Sequence, residues 1–384
     1  MIYFDNSATT KIDPQVLQTY NTVANDFWGN PSSLHGLGDH ALQLLQSARQ
    51  QIADLVGCAA DEIYFTSGGT EGDNWVIKGT AMAKREFGKH IIVSSVEHAA
   101  VLNSAAQLEK LGWEVTYLPV DKQGFVNPDD VAKAMRPDTV LVSVMAVNNE
   151  IGAIQPITEI GEILKNYPTV HFHVDAVQSV GKNLWSQVLP ERVDFATFSA
   201  HKFHGPRGTG FIYAKKGRAL GILMSGGGQE TNHRSGTENL PAIAAMSKAL
   251  RLAVTDEAKK AQHELALKQQ LVDFLSALPD ITIFSPVAAN FAPHILCFAI
   301  AGVRGETTVH ALEAKDIYLS TTSACSSRSG DESSTLKAMK VPEKLATSAV
   351  RISLDDANTQ AEVDQFIKVF PEIYQRFERM NGRA

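Results

Sequence analysis

Thr139-Val140-Leu141-Val142-Ser143-Val144-Met145-Ala146-Val147 is a nearly unbroken apolar run, rich in Val, and it leads into Asn148-Asn149-Glu150. A strand with one wet face alternates apolar and polar residues, whereas one buried on both faces reads as this run does. The run therefore predicts a central strand of a sheet covered by helices on both sides. The neighbouring segments agree. On the C-terminal side the pattern predicts a helix over 157–166 and strands over 170–174, 195–198 and 210–213. On the N-terminal side it predicts a helix over 41–56, a strand over 62–66, a strand over 90–94, a helix over 99–111 and a strand over 115–118. Strands alternating with helices imply an α/β fold with a mostly parallel sheet. We expect this large unit to span residues 13–255.

After about residue 255 the pattern changes. A charged helix over 256–275 precedes strands over 281–284 and 295–300, a helix over 307–314, a polar loop, a strand over 349–354 and a terminal helix over 364–379. The expectation is a smaller α+β domain made of residues 1–12 and 256–384.

Composition limits what such a chain does. Of 384 residues, 44% are hydrophobic and 20% charged, which excludes wholesale disorder. The net charge is −7. A protein that grips nucleic-acid phosphates would carry a basic surplus, so no direct nucleic-acid ligand is expected. The longest apolar candidate, 295–303, is far too short to span a membrane. The N-terminus shows no basic segment followed by an apolar run, so no secretory signal is expected. Three widely separated cysteines, Cys58, Cys297 and Cys325, form no CxxC pair. That argues against a disulfide framework and a cysteine zinc site, and makes the cytoplasm the expected compartment.

Several polar groups fall where parallel sheets bind ligands, at the carboxyl ends of strands. Ser199-Ala200-His201-Lys202-Phe203-His204-Gly205 places a lysine among histidines and small residues just after an apolar run. A lysine that sheds its proton easily can form a Schiff base with an aldehyde cofactor, although a lone lysine in a glycine-rich turn is more often a solvated one. His171-Phe172-His173-Val174-Asp175 puts two histidines and an aspartate on one strand face. Such a pair can bind metal; a carboxylate at the strand end can instead hold a protonated pyridine nitrogen; or these are ordinary sheet histidines with a turn-capping Asp. Thr66-Ser67-Gly68-Gly69-Thr70-Glu71 runs from a strand into a helix and offers backbone N–H groups to a phosphate, without the lysine of a P-loop. Glu97-His98 and Asn148-Asn149-Glu150 add polar groups at two further strand ends.

Phosphate cradle, His, Asn, Asp and Lys, in that order, match the needs of pyridoxal 5'-phosphate. Phe4 to Thr10, Gly29 to Ser33, Thr66 to Asn74, Glu97-His98, Asn148 to Pro156, His173 to Gly181, Ser199 to Gly210, Arg234 to Thr237, Ser323 to Ser327 and Val350 to Leu354 together resemble the cysteine desulfurases of the NifS/IscS type. These belong to the class V aminotransferase group of fold-type I pyridoxal-phosphate enzymes, and the likeness runs nearly the whole chain. The resemblance implies that Lys202 forms the internal aldimine and moves the Cα proton. It implies that Asp175 pairs with the pyridine nitrogen and that His98 stacks on the ring and assists proton transfer. Asn149 and Gln178 would contact the cofactor oxygen or the substrate. Gly69, Thr70, Ser199 and His201 would hold the phosphate, and Thr237 would reach the phosphate site of a neighbouring subunit in a homodimer. Arg351 would grip the substrate carboxylate. No metal is implied.

Cys58 ends an apolar helix and Cys297 lies in an apolar strand, which predicts packed thiols. Cys325 lies in 320–335, where ten of sixteen residues are Ser or Thr, the composition of a mobile loop. Arg328 lies three residues away and would favour the thiolate. In the resembling family a cysteine in this setting takes the sulfur of L-cysteine and passes it to an acceptor protein, an iron–sulfur scaffold or a tRNA-thiolating enzyme. The alternatives are a selenocysteine lyase or aminotransferase on the same fold, or a non-catalytic scaffold. His171 has no role in this reading.

Overall fold

The computed structural model describes residues 1–322 and 333–380. Its strands are β1 (Ile2–Tyr3), β2 (Ile63–Thr66), β3 (His90–Ser94), β4 (Glu114–Leu118), β5 (Thr139–Ser143), β6 (His171–Asp175), β7 (Phe195–Ser199), β8 (Gly210–Ala214), β9 (Ile281–Ile283), β10 (Ile295–Ile300), β11 (Ile317–Tyr318), β12 (Ser320–Thr321) and β13 (Ala349–Ser353). Seven of them form one sheet in the order β2-β8-β7-β6-β5-β3-β4. All its pairings are parallel except those of β8, which is antiparallel to both neighbours. The chain is therefore an α/β protein built on a mostly parallel sheet.

Burial explains why β5 reads as it does. Every residue of β3, β5, β6 and β7 is buried. Ile92, Val142, Val174, Ala196 and Phe198 point into a core shared with the helices Gly36–Val56, Ile157–Leu164 and Leu240–Val254. Ile91, Val93, Val140 and Leu141 pack on the other face against the helices Gly69–Lys84 and Ala99–Lys110. Within this sheet only the edge strand β4 carries exposed residues, while β2 and β8 each have one half-buried residue. The expected strand over 139–147 ends as a strand at Ser143. Beyond it the backbone stays tied to the neighbouring strand, with Val144 N–H donating to His173 O at 3.1 Å and Ala146 N–H to Asp175 O at 2.8 Å.

The second sheet has the order β12-β13-β10-β9 and its pairings are antiparallel. Leu296, Phe298 and Ile300 of β10 face a core with Phe4, Leu271, Phe366 and Phe370. Cys297 and Ala299 face the other way, against Ile151, Ala153 and Phe291. Cys297 is thus a packed thiol, 0% exposed. Cys58 is only half-buried, just past the left-handed Gly57 (φ 83°) that closes its helix. Burial, with Glu62, Asp54 and Asp61 nearby, pushes its thiol up to about 12.

Two helices add to or refine the expectations. The expected helix over 256–275 is preceded by another, Leu240–Val254, and the two are separated at Thr255-Asp256, where Asp256 adopts φ 56°. Leu240–Val254 buries most of its circumference, so it shows no amphipathic stripe. The terminal helix is Gln360–Met380 and begins earlier than expected, because Glu362 turns back to accept the Thr359 N–H at 2.7 Å. The helix Pro14–Asp26 and the parallel pair β1–β11 were not expected.

Candidate active site

The carboxyl ends of the parallel strands converge. β2 runs through Ser67-Gly68 into the helix that begins at Gly69. Gly68 has φ 147°, and a Cβ on Gly69 would come within 2.9 Å of Val177 Cγ2 and 3.5 Å of Ser199 Cβ. A Cβ on Gly210 would lie 2.8 Å from Gly68 Cα. Glycine is needed here because backbone, Ser199 and Val177 crowd one spot. The result is a helix start whose N–H groups and positive dipole end can meet an anion, with the Ser199 hydroxyl beside it. Thr70 follows and is exposed. Glu71 accepts the Ser67 N–H at 3.1 Å and pairs with Arg234 at 2.8 Å, which fastens the 233–237 loop to the cradle. Thr237 itself is exposed on the surface of the chain. The same loop is held upstream by Glu230, which takes both Arg49 Nη groups at 2.9 and 2.6 Å and the Phe65 N–H at 2.9 Å.

Asp175 ends β6 and is 4% exposed. Its Oδ1 accepts the Val177 N–H at 3.0 Å. Burial raises its carboxyl above the ordinary range, while His98, the Val177 N–H and Lys202 pull it back. Lys202 closes the short turn after β7, and its Nζ donates to Ser7 O at 2.5 Å and Ala8 O at 2.9 Å. His98 caps the helix Ala99–Lys110 by accepting the Ala100 N–H on Nδ1 at 3.1 Å. His201 contacts Thr9 Oγ1 at 3.1 Å. Burial, with Lys202 and Arg207, lowers it to about 4, so it is neutral at pH 7. Gln178 Nε2 donates to Ser7 O at 3.0 Å.

Arg351, on β13, is 3% exposed. Its Nη1 donates to Asn149 O at 2.8 Å and its Nη2 to Asp5 Oδ1 at 3.0 Å. Asn149 thus meets Arg351 through its carbonyl. Cys325 lies outside the described residues, but the positions flanking that segment are at the site. Ser320 is the partner of Arg351 in the β12–β13 pair. Thr335 Oγ1 accepts from Asn148 Nδ2 at 3.1 Å, and Ser333 Oγ donates to Glu150.

Behind Asp175 lies a polar layer of Glu97, Asp73, His173 and His171, of which only Asp73 carries no signal of its own in the sequence. Glu97 is 2% exposed; its Oε1 accepts from Ser94 Oγ at 2.5 Å and Met145 N–H at 2.7 Å, and its Oε2 has no partner. Burial and the nearby Asp175 push its carboxyl up to about 8. Asp73 is 1% exposed and is raised well above the ordinary carboxylate range by burial, then by Asp175. His173 bridges Ser143 Oγ and Thr197 Oγ1, each at 2.9 Å, and lies 3.6 Å from Asp73 Oδ1. His171 contacts Thr80 Oγ1 at 3.2 Å and packs on Phe195. Both histidines are lowered to about 3 by burial and act as neutral core groups. Among the described residues no cluster of three or more His, Cys, Asp or Glu could hold a metal ion.

A cavity of about 340 Å³ is lined by Asn6, Gln178, Lys202, His294 and Asp355, among others. It borders Lys202 without reaching Asp175 or His98.

These residues fit a phosphorylated pyridine aldehyde. The glycine cradle with Ser199 suits the phosphate, the buried Asp175 carboxyl suits a pyridinium nitrogen, the His98 ring can cover a flat face, and the Lys202 amine suits the aldehyde. Comparison with known proteins agrees. The family model "Aminotransferase class-V" matches residues 2–366. A "NifS/IcsS protein homolog" of Lactobacillus delbrueckii subsp. bulgaricus is 62% identical, covering 99% of each chain. The "Cysteine desulfurase IscS" of Methanosarcina thermophila is 43% identical over 99% of this chain and 93% of its own. A solved structure titled "NIFS-LIKE PROTEIN" superposes with a TM-score of 0.91 at 39% identity, covering 97% of this chain and 99% of its own.

Proposed function

The chain belongs to the class V aminotransferase family, and we propose that within it this protein is a pyridoxal-phosphate-dependent cysteine desulfurase. L-Cysteine and the Cys325 thiol would give L-alanine and a Cys325 persulfide. The cysteine Cβ–S bond breaks with its electron pair passing to carbon, and the released sulfur is bonded, oxidised, to Cys325 Sγ. The observation that carries this reading is the convergence of Lys202, Asp175, His98 and Arg351 with the residues flanking the Cys325 segment, Ser320, Ser333 and Thr335.

When bound, the cofactor supplies an electrophilic carbon and an electron-accepting ring. The rest falls to this chain. Gly69, Thr70, Ser199 and His201 hold the phosphate, with Thr237 contributed from a second copy. Asp175 holds a proton on the ring nitrogen. His98 and Gln178 orient the ring and its oxygen, Asn149 contacts the substrate, and Lys202 Nζ moves the Cα proton. Arg351 orients the carboxylate, a task suited to a planar guanidinium. Only a thiolate takes up sulfur at useful rates near neutral pH, which is the task of Cys325.

The protein works as a homodimer in this reading. Trp28 is 71% exposed, Leu34 100% and Ile222 51%, an apolar exposure that a subunit partner would cover. Residues 13–255 form the large unit, and 1–12 with 256–384 the small one that bears the cysteine segment. No helix among the described residues is long and apolar enough to cross a membrane. The proposed setting is the cytoplasm, and the proposed acceptor is an iron–sulfur scaffold or tRNA-thiolating protein. The test is amino-acid analysis of the reaction with L-cysteine: alanine is expected, and a keto acid would refute the assignment.

A further inference from the structure

Residues 4–6 lie along the end of β13. Ser353 N–H donates to Phe4 O at 2.7 Å, Asn6 N–H donates to Ser353 O at 3.3 Å, and Ser7 N–H donates to Ser353 Oγ at 2.8 Å. Asp5 and Ser353 form a parallel bridge. This backbone clamp carries the Asp5 carboxylate to Arg351, two residues earlier on the same strand, at 3.0 Å. The side chains are only 19% and 4% exposed, so water screens the pair poorly. Arg351 is meanwhile fixed from the opposite side of the sequence by Asn149 O. Its guanidinium is thus located by one neutral and one charged acceptor.

We propose that Asp5 is a positioning residue that acts through Arg351, as the resident counter-ion that sets how tightly an amino-acid carboxylate is held. The inference rests on the reading that Arg351 receives that carboxylate. A buried guanidinium without a counter-ion is costly, and Asp5 supplies one. When an amino acid binds, its carboxylate joins Asp5 on the same cation. The two anions repel across the guanidinium, so affinity is lower than Arg351 alone would give. The same charge allows the product carboxylate to leave. It also disfavours amino acids with a second anionic group near Arg351. Asn at this position keeps an oxygen for Arg351 Nη2 and removes only the charge.

The experiment is equilibrium titration of the cofactor-loaded protein with L-alanine, which has the carboxylate but no sulfur to transfer. Asp5→Asn, Arg351→Gln and the double variant are compared with the unmodified protein, with melting of the cofactor-free forms as a check on folding. For Asp5→Asn the Kd for alanine should fall by about tenfold or more, because two like charges a few ångströms apart and poorly screened repel by at least that much. Its Kd for ethylamine, which has no carboxylate, should stay unchanged. In the Arg351→Gln background, where the carboxylate is no longer drawn beside Asp5, the Asp5→Asn effect should be much smaller. Arg351→Gln alone should weaken alanine by at least about tenfold. If Arg351→Gln weakens alanine but Asp5→Asn weakens it too, or tightens ethylamine equally, Asp5 is a structural partner and the proposal fails. If Arg351→Gln leaves alanine binding intact, the underlying reading of Arg351 fails instead.

Discussion

Replacing Glu97 by Gln should reverse the sign of its effect on stability between acid and mildly alkaline pH. Gln keeps an oxygen to accept from Ser94 Oγ and the Met145 N–H. It also places an amide where Oε2 has no partner, a burial cost of about 1–2 kcal/mol. At low pH, where Glu97 is protonated in folded and unfolded chains alike, that cost alone should show and the variant should melt lower. The Glu97 carboxyl rises from its ordinary 4.5 to about 8 on folding. A raised carboxyl means the folded state holds the proton more tightly. Stability is therefore lost as pH climbs from the unfolded value towards the folded one. At about 1.4 kcal/mol per pH unit, the loss approaches ~4 kcal/mol near pH 8. Gln does not titrate and escapes it. The variant should end up more stable than the parent by ~2–3 kcal/mol near pH 8. For a chain of this length that is roughly a few °C in melting temperature. The assay is thermal melting of cofactor-free protein in half-unit steps from about pH 3.5, below the ordinary Glu value, to about pH 8.5. Curves for parent and variant that run parallel across the range would refute the reasoning, because Glu97 would then carry the same charge folded and unfolded.

Three further outcomes follow from the geometry. Lys202→Ala should abolish the visible absorbance of the lysine–cofactor adduct and lower turnover with cysteine by at least about 10², read by spectrum and alanine release. Leu34→Asp with Ile222→Asp should shift the sedimentation of the protein from dimer to monomer and lower activity with it, since both side chains stand in solvent on the single chain. Ser333→Ala should remove both the cap on the Leu336 N–H (3.0 Å) and the partner of Glu150, costing about 1–2 kcal/mol in denaturation of the holoprotein.

The sequence showed what local pattern encodes. β10 is found at Ile295–Ile300, as expected, because its apolar run is buried throughout. β5 was legible for the same reason. The helix Leu240–Val254 was not, because burial on most sides erased the periodicity by which a helix is recognised. The site divides similarly. Lys202, Asp175 and His98 were singled out because each follows an apolar run, and the fold brings these strand ends together. Glu97 stands out only as a polar group at a strand end and Asp73 not at all, because their shared meaning is the proximity of three buried carboxyls, which no local pattern records. Asp5 was quoted only as part of a resembling segment, since its partner lies 346 residues away.

Whether Cys325 takes the sulfur is decided by mass spectrometry of the holoprotein after exposure to L-cysteine without reductant, with alanine measured in the same sample. One added sulfur atom is expected on the peptide containing Cys325, in step with the alanine formed in the first turnover, and none in Cys325→Ser. Added sulfur on Cys58 or Cys297, or alanine and sulfide formed at the parent rate by Cys325→Ser, would contradict that assignment.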